Sequence, residues 1–359
     1  MAVQFTPVSE HDAAWGNPFT ARGTWLRGNT HTHSTYSDGK LTVAQVADWY
    51  RDHGYDFLCI TDHDVVAPLD EAAASDITMI PGAEIGVAWP QAMLAEVCAI
   101  GIEHVKRKLV HPQYVIDDVL DQGGIPVISH PHMSGVYSGL MMTLKDLAGI
   151  EIFNAGCQGS GRRGLSTTHW DDLLCTGMRV WGWASDDRHT SEDDPTSAGC
   201  QPGHDRGKAW VMVRAADRSQ ASILEAIRHG WFYSTTGPTI EDIQVDVNAD
   251  EIRVRCSPAK QVTFASLPWT GMRIHAQPDE MLTDIVASLG GVAEPVRAQR
   301  TVEHAAMIGD NPQPKSAGCY FRVEIWDGED GYAWSNPYWF GIASWSPGEV
   351  SPCLDEGNL

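Results

Sequence analysis

The stretch YDFLCITDHD, residues 55–64, decides the fold of this chain. Its apolar residues predict a short strand, and that strand runs directly into the ionisable side chains of TDHD. The preceding stretch LTVAQVADWYRDHG, residues 41–54, has the apolar spacing of a helix, with Thr42 as a plausible cap and Gly54 as its stop. Strands and helices alternate in this way from about residue 23 to 237, which is typical of an α/β domain with parallel strands.

The same arrangement recurs along this region, because one short apolar strand after another ends in His, Asp or Glu. Barrels and open α/β sheets place their chemistry at this end of their strands. His31 and His33 are two residues apart and are expected on the same side of a strand, and by the same alternation Asp186 shares a side with Ala184. The other strand ends are GNTHTH (28–33), ITMIPGAEI (77–85), GGIPVISHPH (123–132) and MRVWGWASDDRH (178–189).

The pattern changes near Thr239, where apolar and polar residues begin to alternate with a period of two. This alternation predicts a small antiparallel β-domain. The predicted organisation is an N-terminal extension (1–22), an α/β domain (23–238), a β-sandwich-like domain (239–346) and a tail (347–359).

Composition excludes several classes of protein. The 359 residues carry a net charge of -22, which disfavours nucleic acid and anionic membranes as partners. The eight cysteines are scattered and form no CxxC pair, which argues against a thiolate zinc site or a disulfide framework. No signal-peptide pattern and no apolar run of membrane-spanning length is evident, so we expect a cytoplasmic protein that acts on a small molecule; the oligomeric state stays open.

The strand ends supply imidazole and carboxylate groups, which suit Zn, Mn or Fe. There are too many of them for one ion, and a carboxylate such as Glu84 can bridge two ions. These side chains are His31, His33, Asp38, His63, Glu84, His130, Asp186 and His189.

Five ordered motifs resemble those of the PHP (polymerase and histidinol phosphatase) metallohydrolases. They are HTHSTYSDG (31–39), ITDHD (60–64), GAEI (82–85), SHPH (129–132) and ASDDRH (184–189), and the resemblance covers roughly residues 24–238. It implies an α/β fold, a distorted (β/α)7 barrel of the PHP type followed by the small antiparallel β-domain. It also implies two or three divalent ions.

The resemblance further implies how the ligands divide. His31, His33, Glu84 and Asp186 would hold the first ion; Glu84 and His130 the second; Asp38, His63 and His189 the third. Two departures stand out. The last motif reads Asp186-Asp187-Arg188-His189 rather than Asp-x-His, and Glu96 stands where the family usually has a histidine. Since an unpaired buried glutamate is costly, we interpret Glu96 as a substitute ligand; loss of one ion is the alternative.

We assign Glu84 and Asp186 as the catalytic groups, and Arg162, Arg188 and His132 as candidate contacts to the substrate, since arginine matches phosphate oxygens bidentately. The favoured function is a phosphoesterase for a small phosphorylated metabolite, acting through metal-activated hydroxide. A carbamate or carboxylic ester hydrolase, as in the branch that resembles carbaryl hydrolases, is the first alternative. A non-catalytic binding module is the second.

Overall fold

The computed structural model describes residues 17–89, 94–106, 109–191, 203–246, 248–268, 270–293 and 319–340. Most of the expected extension and the whole expected tail lie outside these residues. In the first region the elements are β1 (Thr24–Asn29), α1 (Val43–Asp52), β2 (Phe57–Ile60), β3 (Thr78–Val87), β4 (Ala95–Ile100), α2 (Pro112–Asp121), β5 (Ile125–Ile128), α3 (Pro131–Ser134), α4 (Ser138–Met141), β6 (Gly149–Asn154), α5 (Ala155–Gly161), α6 (Thr167–Cys175), β7 (Trp181–Ser185), β8 (Trp210–Ala215), α7 (Gln220–Arg228) and β9 (Phe232–Thr235), with a short 3₁₀ helix at Asp70–Ala72.

Helix α1 forms where the apolar spacing places it. Thr42 accepts a hydrogen bond from the Gln45 backbone, and the Gln45 side chain accepts one from Thr42 in return. Val46 and Tyr50 are among the residues it buries. The chain leaves the helix through Gly54, whose φ of 78° suits a residue without a Cβ.

The strands of this region form one mixed sheet. Strands β1, β2 and β3 are parallel neighbours, β4 is antiparallel to both β3 and β5, and β5, β6 and β7 are again parallel. On the other side of β1 the sheet continues through the antiparallel strands β8 and β9. The mixed α/β fold is as predicted.

A closed seven-stranded barrel is not found among the described residues, because β7 ends the sheet without a strand partner on its outer side. The sheet nevertheless curls until the segment after β7 meets the segment after β1. The backbone N–H of His33 donates to the carbonyl of Arg188 at 2.9 Å, and the N–H of Asp187 donates to the carbonyl of His31 at 3.0 Å. The ends of the first and last parallel strands therefore lie side by side.

Side chains cover the outer edge of β7. The N–H of Gly182 donates to Oδ1 of Asn336 at 3.1 Å, and the N–H of Ala184 donates to Oγ of Ser234 at 2.9 Å. The Ser234 hydroxyl donates in turn to the Gly182 carbonyl. These bonds satisfy backbone groups that a neighbouring strand would otherwise satisfy.

The C-terminal region is antiparallel, as its alternation predicts. Strands β10, β11 and β14 form a separate sheet, whereas β13, β12, β15 and β16 join β9 and extend the large sheet. The two sheets enclose an apolar core that includes Ile243, Val254, Phe264 and Val323. The elements are β10 (Ile240–Asp246), β11 (Glu251–Ala259), β12 (Gln261–Ser266), β13 (Gly271–His275), β14 (Leu282–Ser288), α8 (Leu289–Ala293), β15 (Cys319–Trp326), β16 (Tyr332–Ser335) and β17 (Tyr338–Phe340).

The two regions are joined by strand pairing and by an ion pair. Ala333 of β16 pairs with Thr235 of β9, so one sheet runs through both regions. The buried Arg322 guanidinium donates from Nε and Nη2 to the two carboxylate oxygens of Asp171, both at 2.8 Å. Within the described residues, no helix has the length and apolar character needed to span a membrane.

Candidate metal centre

Glu84, near the middle of β3, lies at the centre of a group of imidazoles. Its Oε2 is 3.2 Å from Nε2 of His31, 3.4 Å from Nε2 of His33 and 3.3 Å from Nδ1 of His63. Its Oε1 is 3.1 Å from Nε2 of His130. These histidines follow β1, β2 and β5, so strands far apart in the sequence converge on one carboxylate.

Asp187 closes this group from the end of β7. Its Oδ1 is 3.2 Å from Nε2 of His31 and 3.1 Å from Nε2 of His33. The four side chains His31, His33, Glu84 and Asp187 are all buried, and each offers a ligand atom within 4.8 Å of the others. This set can surround a single cation.

A second set lies on the solvent side of His33. Oδ1 of Asp38 is 3.3 Å from Nε2 of His189 and 3.6 Å from Nδ1 of His33, and its Oδ2 is 3.7 Å from Nε2 of His63. These four residues also offer ligand atoms within 4.8 Å of one another. The structure therefore brings Asp38, His63 and His189 together, as the sequence analysis expects of one ion site.

Glu96 lies beside the cluster from β4. Its carboxylate oxygens are 3.9 Å from Nδ1 of His63 and 3.8 Å from Nε2 of His130, and it forms a third set with His63 and Glu84. Burial and the nearby Glu84 carboxylate raise the pKa of Glu96 to about 7. Its position beside His63, Glu84 and His130 fits a metal ligand.

The structure corrects the assignment of Asp186, which does not face the cluster. Its carboxylate accepts hydrogen bonds from the backbone N–H groups of Gly207, Lys208 and Ala209 at 2.6–3.0 Å and from the Tyr50 hydroxyl at 2.8 Å. Strand β7 ends at Ser185, and Asp187 has a φ of 53°, so the alternation of a strand cannot be carried to these residues. Asp187 takes the place that we predicted for Asp186.

Sequence reasoning missed Glu151, a fully buried carboxylate on β6. Its Oε1 is 2.7 Å from Nδ1 of His31 and accepts a hydrogen bond from the Ser185 hydroxyl at 2.5 Å. Its Oε2 accepts from the His130 backbone and the Asn154 amide, both at 2.9 Å. Burial alone would raise the pKa of Glu151, but His31 lowers it. A lone glutamate in the apolar strand GIEIFN was the available signal, the same kind that drew attention to Glu96.

The residues around the cluster contain a further carboxylate, Asp62, which holds the loop after β1 in place. It accepts hydrogen bonds from the Ser34 backbone at 2.8 Å, the Ser34 hydroxyl at 2.6 Å and the Ser37 hydroxyl at 2.6 Å. Asp62 therefore positions the loop that carries Asp38.

The donor set fits divalent cations. Glu84 Oε1 and Asp187 Oδ1 are buried oxygens without a hydrogen-bond donor, and the Nε2 atoms of His31 and His33 lie 3.1 Å apart. Burial disfavours the charged carboxylates, yet His31 holds the pKa of both Glu84 and Asp187 well below its ordinary value. Negative charge is thus concentrated where imidazole nitrogens converge, an arrangement that bound cations would satisfy.

The carboxylates of the cluster favour protonation of two neighbouring imidazoles. Burial lowers the pKa of His130, but the adjacent Glu84 carboxylate, together with the charges of Asp187 and Glu151, raises it overall to about 9. Burial also lowers the pKa of His189, but Asp38 and Asp187 together raise it overall to about 9. A cation that binds here must displace these protons.

The three candidate contacts to the substrate lie apart from the cluster: one is buried and two are exposed. Arg188 is 1% exposed, and its guanidinium packs over Trp49 rather than against the cluster; this corrects its assignment as a contact to the substrate. Arg162 is exposed at the C-terminal end of α5. His132 is exposed, and its Nδ1 lies 3.1 Å from the Leu165 carbonyl. Neither makes a hydrogen bond or ion pair with the clustered side chains described above.

These buried imidazole and carboxylate groups at strand ends define a candidate metal-binding α/β protein. Residues 29–123 match the model of the PHP domain family, which confirms the resemblance over that segment. The matched segment contains His31, His33, Asp38, Glu84 and the departing residue Glu96, and it ends before β5. No curated protein matches the chain.

Two solved structures are similar to this chain at low identity. One is a two-domain protein from Bacteroides vulgatus described as containing a predicted PHP-like metal-dependent phosphoesterase: 15% identity, 89% of this chain and 96% of that chain covered, TM-score 0.47. The other is an amidohydrolase from Chromobacterium violaceum with bound sulfate and no metal: 16% identity, 49% of this chain and 94% of that chain covered, TM-score 0.37. Both TM-scores are below 0.5, so neither structure indicates a function for this chain.

Proposed function

We propose that this chain is a metal-dependent hydrolase, and that its preferred substrate is a small phosphorylated metabolite. The observation that carries the proposal is the position of Glu84, whose two carboxylate oxygens lie within 3.4 Å of nitrogens from four imidazoles. One carboxylate that reaches several imidazoles in this way can bridge two cations and hold them close together.

The residues would divide among three ions with Asp187 in place of Asp186. One ion would be held by His31, His33, Glu84 and Asp187. Another would be held by Glu84, Glu96 and His130, and the last by Asp38, His63 and His189. When bound, Zn, Mn or Fe ions supply an acidified water nucleophile and neutralise negative charge on the reacting group. The sheet fixes the positions of the side chains that would bind the ions, since these residues lie in its strands or in the loops that follow them.

The charge of the site connects the number of ions to the class of substrate. The carboxylates of Asp38, Glu84, Glu96, Glu151 and Asp187 contribute five negative charges when ionised. Three divalent ions would carry about six positive charges and leave a surplus that attracts a phosphate, whereas two would leave the site near neutrality. A site that holds three ions would therefore favour a phosphate ester as its substrate.

A carbamate or carboxylic ester hydrolase is the alternative, and one observation favours it. The acid and imidazole groups of the cluster have no arginine or lysine among their ion-pair partners in the described residues. Arg188, the cation closest to the cluster in sequence, is buried against Trp49. A site with only two ions and no flanking cation would suit an uncharged ester better than a phosphate dianion.

A hydrolysis screen tests the proposal. Purified protein reconstituted with Mn²⁺ or Zn²⁺ is assayed on phosphate monoesters, phosphate diesters, carbamates and carboxylic esters. Glu84→Gln serves as the matched control, because it keeps the shape of the side chain and removes its charge. We expect metal-dependent phosphate release that falls at least about 100-fold in the Glu84→Gln variant. Turnover of esters alone would favour the alternative, and metal binding without any turnover would favour a binding module.

A further inference from the structure

The guanidinium of Arg188 is buried against helix α1, apart from the metal centre. The residue directly follows Asp187, but its side chain is only 1% exposed. Its guanidinium carbon lies 4.5 Å from the ring centre of Trp49 and 5.7 Å from that of Tyr50, both on α1. Arg188 is therefore enclosed by aromatic rings instead of pairing with a carboxylate.

Most of the hydrogen-bonding capacity of Arg188 is unused within the described residues. Nε donates to the carbonyl of Thr190 at 3.2 Å, while Nη1 and Nη2 are buried and have no partner. Burial takes the charge of Arg188 out of water. A buried cation with unsatisfied N–H groups costs several kcal/mol unless an anion compensates it.

A second arginine lies beside it. The carboxylate of Asp205 accepts hydrogen bonds from the backbone N–H groups of His189, at 2.8 Å, and Thr190, at 2.9 Å. This contact holds the segment of Arg206, which follows Asp205, against the segment of Arg188, which precedes His189, and the charge of Arg206 repels that of Arg188. Nη1 of Arg206 is also buried without a hydrogen-bond partner.

Local backbone features bring the Arg206 side chain into this position. Gly203 has a φ of 69°, which favours glycine, and a Cβ at that residue would lie 3.0 Å from Nε of Arg206, so the arginine packs closely against this turn. A Cβ at Gly207 would lie 3.1 Å from the Trp49 ring, the ring that also covers Arg188. The two oxygens of Asp205 accept from His189 and Thr190, and its single negative charge offsets at most one of the two arginine charges.

We propose that Arg188 and Arg206 together bind a small inorganic oxyanion of the size of sulfate or phosphate. Guanidinium groups present parallel N–H donors that match the oxygens of such an anion, and the anion would offset the repulsion between the two cations. The bound anion would tie the segment that follows β7 to the segment at residues 203–207. Those segments carry Asp187 and His189 and also supply the backbone N–H of Gly207 to Asp186. The site is separate from the metal cluster and does not depend on the proposed reaction.

Thermal unfolding of the metal-saturated full-length protein tests this site. Sodium sulfate replaces sodium chloride at constant ionic strength, and the melting temperature is recorded for the wild type and for Arg206→Met. We expect a saturable rise of about 1–3 °C in the wild type. The rise should be absent in Arg206→Met, which in chloride alone should be at least as stable as the wild type because one of two repelling charges is gone. Arg163→Met, which removes an exposed arginine, is the matched control and should keep the wild-type rise.

Two results would overturn the proposal. If sulfate and chloride give the same melting temperature in the wild type, no oxyanion binds. If Arg206→Met keeps the full sulfate-dependent rise, the anion binds elsewhere, for instance at the metal ions. Should Arg206→Met fail to fold, Arg206→Lys replaces it and sulfate binding is measured by titration calorimetry. We expect at least about tenfold weaker binding, since lysine keeps the charge but loses the paired donors, and an unchanged affinity would equally contradict the site.

Discussion

Nδ1 of His31 lies 2.7 Å from Oε1 of Glu151, and both side chains are fully buried. This contact fixes the ring of His31 so that Nε2 faces Glu84 and Asp187, because a proton on Nδ1 leaves Nε2 free as a ligand. The other carboxylate oxygen of Glu151 holds the backbone of His130. One carboxylate on β6 thus positions two of the candidate ligands from different strands.

Replacing Glu151 with Gln should weaken metal binding by about 10–100-fold, because an amide neither selects one tautomer of His31 nor raises its basicity. Equilibrium titration of the metal-free protein measures the loss. Ser185→Ala is the matched control, since it removes a different hydrogen bond to the same oxygen and leaves the contact with His31 intact. Equal, small effects of both variants would show that Glu151 has only a packing role.

Asp186 and Asp187 should respond differently to the same change. Asp187→Asn should lower metal content and activity while leaving the apo fold largely intact. Asp186→Asn should keep the metals but lower the free energy of unfolding by about 1–3 kcal/mol, because its carboxylate accepts several buried hydrogen bonds. Metal analysis and urea unfolding of both variants distinguish them. Loss of metal from Asp186→Asn alone would restore the assignment made from the sequence.

The sequence was informative wherever a strand ends directly in a ligand, and less so where the backbone turns. His31, His33, Glu84 and His130 follow or lie in strands, and the structure brings them together as expected. Asp186 was misassigned because β7 ends at Ser185, so the alternation does not extend to it, and a positive φ turns Asp187 toward the cluster instead. Arg188 was misassigned because charge alone suggested an exposed side chain. No local pattern reports burial by a helix that lies far away in the sequence.

Glu96 offers a test of ligand substitution. Glu96→His should retain metal and activity, because imidazole can take the place of a carboxylate at the distances seen to His63 and His130. Glu96→Ala should lose one ion or a large part of the rate. Metal stoichiometry and kcat are measured for both variants. Mild and equal effects would return Glu96 to a structural role.

Metal binding should strengthen as pH rises, while the metal-free protein becomes less stable. The pKa values of His130 and His189 are raised from 6.5 to about 9 in the folded protein. The stability that these protonated histidines contribute is fully present below pH 6.5 and is lost as pH rises through about 9. Divalent ions replace the lost protons, so the metal-induced increase in melting temperature should be larger at pH 9 than at pH 6. An increase that is the same at both values, measured with and without chelator, would contradict this linkage.

The C-terminal region should stabilise the first region through Asn336. Its amide accepts from Gly182 and donates to the carbonyls of Gly230 and Phe232, all at 3.1 Å. Asn336→Ala should lower the free energy of unfolding by about 2–4 kcal/mol, since buried backbone groups lose their partners. Asn248→Ala, an exposed asparagine in a turn, is the control.

Truncation near Pro238 extends the same test, because it removes every strand that follows β9. The truncated chain should be poorly soluble, since it exposes the edge of β9 and the apolar surface beneath the second sheet. A soluble truncated chain with unchanged catalytic efficiency would show that the two regions act independently.

The number of divalent ions per chain tests the central claim most directly. The protein and its Glu84→Gln variant are reconstituted with Mn²⁺ or Zn²⁺ and freed of excess metal. Elemental mass spectrometry then gives the number of ions per chain. The proposed ligand sets predict two or three ions per wild-type chain and a loss of at least one ion in the variant, because Glu84 is expected to serve two of them. One ion or fewer in the wild type, or an unchanged count in Glu84→Gln, would contradict the multinuclear site.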